Sequence, residues 1–263
     1  MATLHVGDAT VGYAVENGTG TGVPLLLFHG TTQARTGWDM PRASMSTARP
    51  HVIVEFPGAG ESSMPTAPLT TDGLVEQAVA VMDHLGYERF HVAGYSLGAV
   101  AAIATAAAVP SRVSSLTSLC GWATTDARMR FTFGLWQLLI ATDPALFMRY
   151  AVADGFTAAA IGGLETMLED IVALGSTAVQ PGSHAQLDLD ARVDIAPLLA
   201  SITAPTLVLG AIEDRWVDIT HSRELADRII GARLVELPAG HIVIQELAPN
   251  VGELIDAHAG EHE

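Results

Sequence analysis

Three side chains that are far apart in the sequence, Ser96, Asp214 and His241, are of the types that carry out nucleophilic catalysis. A serine hydroxyl is a poor nucleophile unless a base takes its proton, and the base in turn needs an acid to orient it. The order serine, aspartate, histidine is one of the known chain orders for such a site. We therefore expect Ser96 to be the nucleophile, His241 the base and Asp214 the orienting acid.

The sequence around Ser96 strengthens this prediction. Ser96 lies in a G-x-S-x-G sequence at residues 94–98, between the apolar, β-prone residues 90–93 and the alanine-rich residues 99–109. A G-x-S-x-G pattern alone is common by chance, but between a strand and a helix it is typical of a nucleophile elbow, which thrusts the serine hydroxyl clear of the sheet. The helix that starts there points backbone N–H groups at any anion formed beside the serine.

Asp214 and His241 each come directly after a predicted strand, at residues 206–210 and 233–237 respectively. Because the carboxyl ends of parallel strands meet at one edge of a sheet, both side chains are expected to emerge where Ser96 emerges.

Each of these two roles has competitors in the sequence. Glu213 and Asp218 neighbour the acid, although Asp218 is better suited to be the N-cap of the helix that follows it. Of the nine other histidines, His29 is expected to hydrogen-bond within its own loop and fix its shape, and the others lack a comparable position.

An oxyanion formed beside Ser96 would need two preorganised backbone donors. One is expected to be the N–H of Leu97, at the start of the helix. The other is expected to be the N–H of Thr31, in the loop that opens with residues 29–31.

Strands alternate with helices over most of the chain, which predicts an α/β fold with a mainly parallel eight-stranded sheet covered by helices on both faces. Residues 4–15 are predicted to form a hairpin of two strands, with a turn at Gly7 and Asp8. Further strands are predicted at residues 25–28, 51–56, 90–93, 113–119, 206–210 and 233–237, and helices at 71–85, 99–109, 219–230 and 250–257.

Residues 122–200 break this alternation. Helical patterns dominate at residues 128–141, 144–153 and 157–174, and apolar side chains are dense. We expect a helical cap at 122–200, inserted into a core domain formed by residues 1–121 and 201–263. Most of its aromatic side chains are expected to pack the cap on the core, and a few to line an apolar pocket.

Composition excludes several kinds of partner and chemistry. The formal charge of −16 disfavours nucleic acid and anionic membranes, and all thirteen basic residues are arginine, so no lysine can form a Schiff base or a P-loop. Cys120 is the single cysteine and cannot form an intrachain disulfide. We identify no H-E-x-x-H motif, no paired-histidine spacing and no dinucleotide fingerprint, and we expect no metal and no cofactor. A cytoplasmic location is the default expectation, and a homodimer is left open.

With these motifs in place, the chain resembles the α/β-hydrolase superfamily over nearly its whole length. The resemblance rests on residues 29–30, the loop at 57–62, the elbow, residues 204–210 before Asp214, and residues 240–241 before Glu246 and Pro249. It is similar to bacterial single-domain members with a short cap: enol-lactonase-like hydrolases, esterases, carbon–carbon bond hydrolases and cofactor-free haloperoxidases. The pair Thr31-Thr32 departs from many relatives and weakens any subfamily assignment.

The function implied is that of a serine hydrolase. It would cleave a carboxylic ester, lactone or thioester of a small, largely apolar substrate through an acyl-enzyme on Ser96. Carbon–carbon bond hydrolysis, perhydrolysis and acyl transfer or cyclisation would use the same three residues and stay open. A non-catalytic small-molecule sensor is the alternative from another class.

Overall fold

A computed structural model describes residues 2–263 of the chain. In these residues eight strands form one sheet in the order β1-β2-β4-β3-β5-β6-β7-β8, and only the pairings of β2 with β1 and β4 are antiparallel. The predicted eight-stranded, mainly parallel sheet is therefore confirmed. The strands are β1 (Ala2–Val6), β2 (Ala9–Glu16), β3 (Leu25–Phe28), β4 (His51–Val54), β5 (Phe90–Tyr95), β6 (Val113–Leu119), β7 (Thr206–Ala211) and β8 (Arg233–Leu237).

The central strands are buried on both faces, which explains the continuous apolar sequence of β3. Alternate residues of a strand point to opposite faces, and in β3 they join separate cores. Leu26 and Phe28 belong to the core shared with Val100, whereas Leu25 and Leu27 pack in the core that contains Val251. Helices therefore cover both faces of the sheet.

The helices begin and end close to most of the predicted boundaries, and several short ones add to the prediction. The α-helices are α1 (Asp39–Arg42), α2 (Thr71–His84), α3 (Leu97–Ala108), α4 (Ala127–Thr142), α5 (Pro144–Gly155), α6 (Ala158–Gly163), α7 (Leu168–Ala178), α8 (Ser183–Asp190), α9 (Ile219–Arg228), α10 (Val243–Glu246) and α11 (Ala248–Gly260). Within residues 2–263 no helix combines the length and apolar character needed to cross a membrane.

One prediction between β6 and β7 is wrong, and two features of this stretch were not predicted. The helix expected at residues 157–174 is split into α6, a 3₁₀ turn and α7, because α6 ends at Gly162-Gly163, where two glycines disfavour helix. Helix α8 was not predicted, since its eight residues carry no clear apolar periodicity. A single β-bridge between Thr124 and Asp194 also lies in a stretch expected to have no β structure.

All of these helices, α4 to α8, lie between two neighbouring strands of the sheet. Strands β6 and β7 pair directly, so residues 120–205, hereafter the helical segment, leave the sheet and return beside it. The isolated bridge lies near the two ends of the helical segment. The chain therefore brings a helical layer to the carboxyl edge of the sheet, and the boundaries 122–200 of a separate cap stay a prediction.

Candidate active site

Ser96 occupies a strained turn between β5 and α3. Its backbone has φ of 57° and ψ of −121°, a conformation rarely adopted by a residue other than glycine. The glycines on either side are required for packing: a Cβ on Gly94 would overlap the carbonyl of Gly98, and one on Gly98 would overlap the carbonyl of Phe28. This is the turn that the sequence predicts for a nucleophile elbow.

The three side chains singled out from the sequence form one hydrogen-bonded chain. The Ser96 hydroxyl lies 3.1 Å from His241 Nε2, and His241 Nδ1 donates to Asp214 Oδ2 at 2.6 Å. All three residues are largely or fully buried. With its Nδ1 proton held by the carboxylate, the neutral imidazole presents the Nε2 lone pair to the serine, so this arrangement can accept the serine proton.

The carboxylate of Asp214 is fixed by its own loop after β7. Its Oδ1 accepts hydrogen bonds from the backbone N–H groups of Trp216 and Val217, both at 2.8 Å. The buried thiol of Cys120 also lies against it, and burial, together with the Asp214 charge, raises the pKa of Cys120 well above its ordinary value. Cys120 therefore stays a neutral thiol beside the carboxylate.

Two aromatic residues that the sequence did not single out hold His241. The Tyr95 hydroxyl donates to the His241 carbonyl at 3.0 Å, and the two rings are 5.3 Å apart. The Trp216 ring lies 4.9 Å from the imidazole on another side. Tyr95 is part of the elbow and Trp216 follows Asp214 by two residues, so their positions beside the motifs were the available signal.

The competing residues have other roles. Glu213 is exposed, and Asp218 caps α9 by accepting from the Thr220 N–H at 3.0 Å, as predicted. His29 is fully buried, donates from Nδ1 to the Gly30 carbonyl at 2.8 Å and accepts from the Phe56 N–H at 3.0 Å. Burial lowers the pKa of His29 to about 4, so it is neutral. Its bond to Gly30 lies within its own loop, as expected, and its bond to Phe56 joins that loop to a second one.

The two expected oxyanion donors lie on either side of Ser96. Leu97 is the first residue of α3, so its N–H has no carbonyl one turn earlier to pair with. The N–H of Thr31 has no hydrogen-bond acceptor within residues 2–263, and Thr31 lines the same cavity as Ser96. Both N–H groups can therefore serve an anion, and their role stays a proposal.

Ser96 and His241 open into a cavity of about 240 Å³. In the helical segment, α4 contributes Trp136 to the lining and α5 contributes Phe147, Met148 and Ala151. Helix α7 supplies further lining residues. Of the segment's other large apolar side chains, Phe131 and Met167 are exposed, by 82% and 53%, and do not line it. Besides the His241 imidazole and two indole rings, its polar lining groups are hydroxyls and amides, and among the described residues no arginine or carboxylate lines it.

Two groups of side chains have the spacing of metal ligands. Cys120, Asp214 and His241 place one ligand atom each within 4.8 Å of one another, but two of these groups already belong to the hydrogen-bonded chain of Ser96. The second group is His258, Glu261 and His262 at the end of α11, where the histidines are four residues apart, so the prediction that the sequence has no paired-histidine spacing is wrong.

Solved structures share this fold over the full length of the chain. The enol-lactonase from Burkholderia xenovorans superposes with a TM-score of 0.87 at 22% identity, covering 98% of this chain and 100% of that one. A thermophilic esterase from Thermogutta terrifontis gives a TM-score of 0.83 at 21% identity, covering 97% and 95%. At these identities the likeness concerns the fold.

Curated relatives are more similar in sequence. A protein from Azorhizobium caulinodans that carries the provisional name carbamate hydrolase RutD is 30% identical over 271 residues, 99% of each chain. The pyrrolizixenacetamide deacetylase of Xenorhabdus hominickii is 29% identical over 249 residues, covering 92% of this chain and 91% of the relative. A family model described as "Alpha/beta hydrolase family" matches residues 25–251. The chain belongs to the alpha/beta hydrolase family and is a hydrolase of that type.

Proposed function

We propose that this protein is a serine hydrolase that cleaves a carboxylic ester, lactone or thioester of a small, uncharged and largely apolar substrate. The observation that carries the proposal is the hydrogen-bonded chain from Ser96 through His241 to Asp214, with the serine held in a strained turn at the edge of a cavity.

The chemistry follows from the direction of these hydrogen bonds. The Ser96 oxygen attacks the substrate carbonyl while its proton passes to His241 Nε2. The Asp214 carboxylate stabilises the resulting imidazolium, and the N–H groups of Leu97 and Thr31 bind the oxyanion. His241 then returns the proton to the leaving group, and the acyl-enzyme on Ser96 is cleared by a water that His241 activates.

The size and the charge of the cavity support the proposed substrate class. A volume of about 240 Å³ is at the small end for ligand pockets and suits a short acyl group. Aromatic and aliphatic side chains of the helical segment, which acts as the cap, supply the apolar walls. Because the cavity lining contains no arginine and the chain has no lysine, a substrate carboxylate would be buried without a counter-ion, which is costly.

A second candidate function is amide hydrolysis, specifically removal of an acetyl group from an amine. It is favoured by the similarity to the Xenorhabdus hominickii deacetylase, which extends over 92% of this chain. The same three residues would act, with His241 protonating a departing amine instead of an alcohol or thiol.

The first test is covalent labelling. We expect a fluorophosphonate probe to label the wild-type protein and Ser96→Ala to abolish the labelling, with Ser118→Ala as a matched control on β6. A wild type that is not labelled, or a Ser96→Ala variant labelled equally, would contradict the proposal and favour a non-catalytic sensor.

Substrate class is tested with p-nitrophenyl acetate, butyrate and octanoate, and with a butyrate analogue that ends in a carboxylate. We expect kcat/KM to be highest for the short uncharged esters and at least about tenfold lower for the carboxylated analogue. The reason is that burying an unpaired charge costs more than about 1.4 kcal/mol, the free energy that corresponds to a tenfold change. Parallel assays with an N-acetyl arylamine and a vinylogous diketone distinguish amide and carbon–carbon hydrolysis from ester hydrolysis.

A further inference from the structure

Asp190, at the end of α8, is a buried acid that the mechanism above does not use. It is 1% exposed and lies outside the cavity lining. Its Oδ2 accepts a hydrogen bond from the Thr31 hydroxyl at 2.6 Å, across 159 residues of sequence, and its Oδ1 has no hydrogen-bond partner within residues 2–263. A carboxyl group with this environment, next to an expected oxyanion donor, calls for a functional explanation.

The loop that carries Thr31 is held in part from the helical segment. The Thr32 N–H donates to the buried Gln186 side chain at 3.0 Å, and the Thr32 carbonyl accepts from the Gln180 N–H at 3.3 Å. Thr32 itself has φ of 68°, a conformation that needs outside support in a β-branched residue. Together with the bonds that the Gly30 carbonyl accepts from His29 Nδ1 and from the Gln33 N–H, these contacts and the Asp190 bond fix the loop that carries the Thr31 N–H.

The backbone of Asp190 is in turn held by a hydrogen bond to the stretch that follows β6. Its backbone carbonyl accepts a hydrogen bond from the Thr125 hydroxyl at 2.5 Å, and that hydroxyl accepts from the Trp122 indole N–H at 2.8 Å. Both partners are buried beside the end of β6. A rigid path therefore runs from the sheet through α8 to the oxyanion loop.

We propose that Asp190 is a positioning residue for the oxyanion hole: it fixes Thr31 from the helical segment, and it does so as a neutral carboxylic acid. This inference rests on the proposed function, since it assigns a role in stabilising the oxyanion formed beside Ser96. A neutral acid can hold the Thr31 hydroxyl without opposing the negative charge that develops on the substrate oxygen, whereas an ionised one would oppose it.

The protonation state agrees with this geometry. Burial raises the pKa of Asp190 to about 8, and the Thr31 hydrogen bond offsets only part of that effect. Within residues 2–263 no basic side chain is paired with it. The charged and titratable groups on the surrounding elements have other partners or are neutral. The two arginines donate to backbone carbonyls, Arg130 to that of Thr125 and Arg192 to that of Leu69. The two carboxylates accept from other side chains, Asp194 from Thr124 and Asp188 from Gln137, and His29 is neutral.

The decisive variant is Asp190→Asn, which keeps the shape of the side chain and is neutral at every pH. In the wild type we expect kcat for p-nitrophenyl butyrate to fall about tenfold as pH rises through about 8, because the carboxylate that forms opposes the oxyanion. In Asp190→Asn this alkaline decrease should be absent. Asp188→Asn, on the exposed side of the same helix, should keep the wild-type profile.

Two truncations test the positioning itself. Thr31→Val removes the hydroxyl but keeps the backbone N–H, and Asp190→Ala removes the acceptor. Each should lower kcat about tenfold or more with KM changed less than threefold, and the double variant should be no slower than the slower single variant, because both break one hydrogen bond. Thermal unfolding of each variant shows whether it is folded.

The outcomes separate this inference from the proposed function. Absence of turnover and of Ser96 labelling in the wild type would overturn both. A wild type that hydrolyses the ester, with an alkaline decrease that persists in Asp190→Asn, would overturn the inference alone. So would a Thr31→Val variant with wild-type kcat, even if its thermal stability were reduced.

Discussion

At the scale of single residues, the acid of the hydrogen-bonded chain has two duties. One oxygen of Asp214 orients His241, and the other holds the N–H groups of Trp216 and Val217. Asp214 therefore fixes the loop that carries it, and in the proposed mechanism its charge also stabilises the imidazolium. Glu213, adjacent in sequence, is exposed and shares neither duty.

Replacing this acid by its amide is a specific test. We expect Asp214→Asn to lower kcat about 10³- to 10⁴-fold, because the amide favours the wrong imidazole tautomer and cannot stabilise the imidazolium. Ester hydrolysis by purified variants measures the loss, and Glu213→Gln should remain within about twofold of wild type. If Asp214→Asn kept most of its activity, the acid would lie elsewhere.

At the scale of elements, the turn between β5 and α3 depends on close backbone approach. Gly98 brings α3 against the carbonyls of Phe28 and His29 at the end of β3, where no side chain fits. Such a contact lets the loop after β3 and the start of α3 lie on either side of Ser96. The packing that strains the serine thus also brings the two expected oxyanion donors to one place.

The elbow glycine can be compared with a glycine that has no such role. Gly98→Ala should lower the free energy of unfolding by at least about 3 kcal/mol, since the added methyl group meets backbone that cannot move aside. Gly134→Ala, in the interior of α4, has no atom within 4 Å of the new Cβ and should raise it by about 0.5–1 kcal/mol. Urea unfolding of both variants measures the difference, and equal effects would contradict this account of the turn.

At the scale of the whole molecule, buried neutral histidines make stability depend on pH. His29, His51 and His91 are fully buried, and burial is the main cause that lowers their pKa values to about 4, about 4 and about 3. Below the ordinary histidine pKa of about 6.5, these side chains bind protons in the unfolded chain but stay unprotonated in the folded one. The stability they contribute is thus complete above that value and is lost as the pH falls toward the folded pKa values.

We expect the free energy of unfolding to fall between pH 7 and pH 5, by about 2 kcal/mol for each of these histidines. Asp190 acts in the opposite direction: its pKa is raised on folding, to about 8, so the stability linked to it is lost as pH rises toward that value. Urea titrations at the two pH values measure the net loss. His91→Gln, which can still pair with Ser115, should reduce the loss by about 2 kcal/mol, and an unchanged slope would exclude this explanation.

The sequence by itself determined the features encoded by neighbouring residues. A continuous apolar run identified the buried strand β3 at its observed bounds, and the glycines around Ser96 identified the elbow because only a tight turn requires them. The positions of Asp214 and His241 directly after strands were enough to bring them to the edge where Ser96 lies. Residues that follow parallel strands meet at the same edge of the sheet, even when they are far apart in the sequence.

The tertiary structure alone decided which parts of the helical segment meet this edge. Amphipathic patterns show that a helix has a buried face, but not which partner covers it, so neither the lining by Trp136 and Phe147 nor the existence of α8 followed from the sequence. The bond between Thr31 and Asp190 joins residues with no shared motif. Contacts of this kind depend on how the helical segment packs against the rest of the fold, and no local residue pattern encodes that packing.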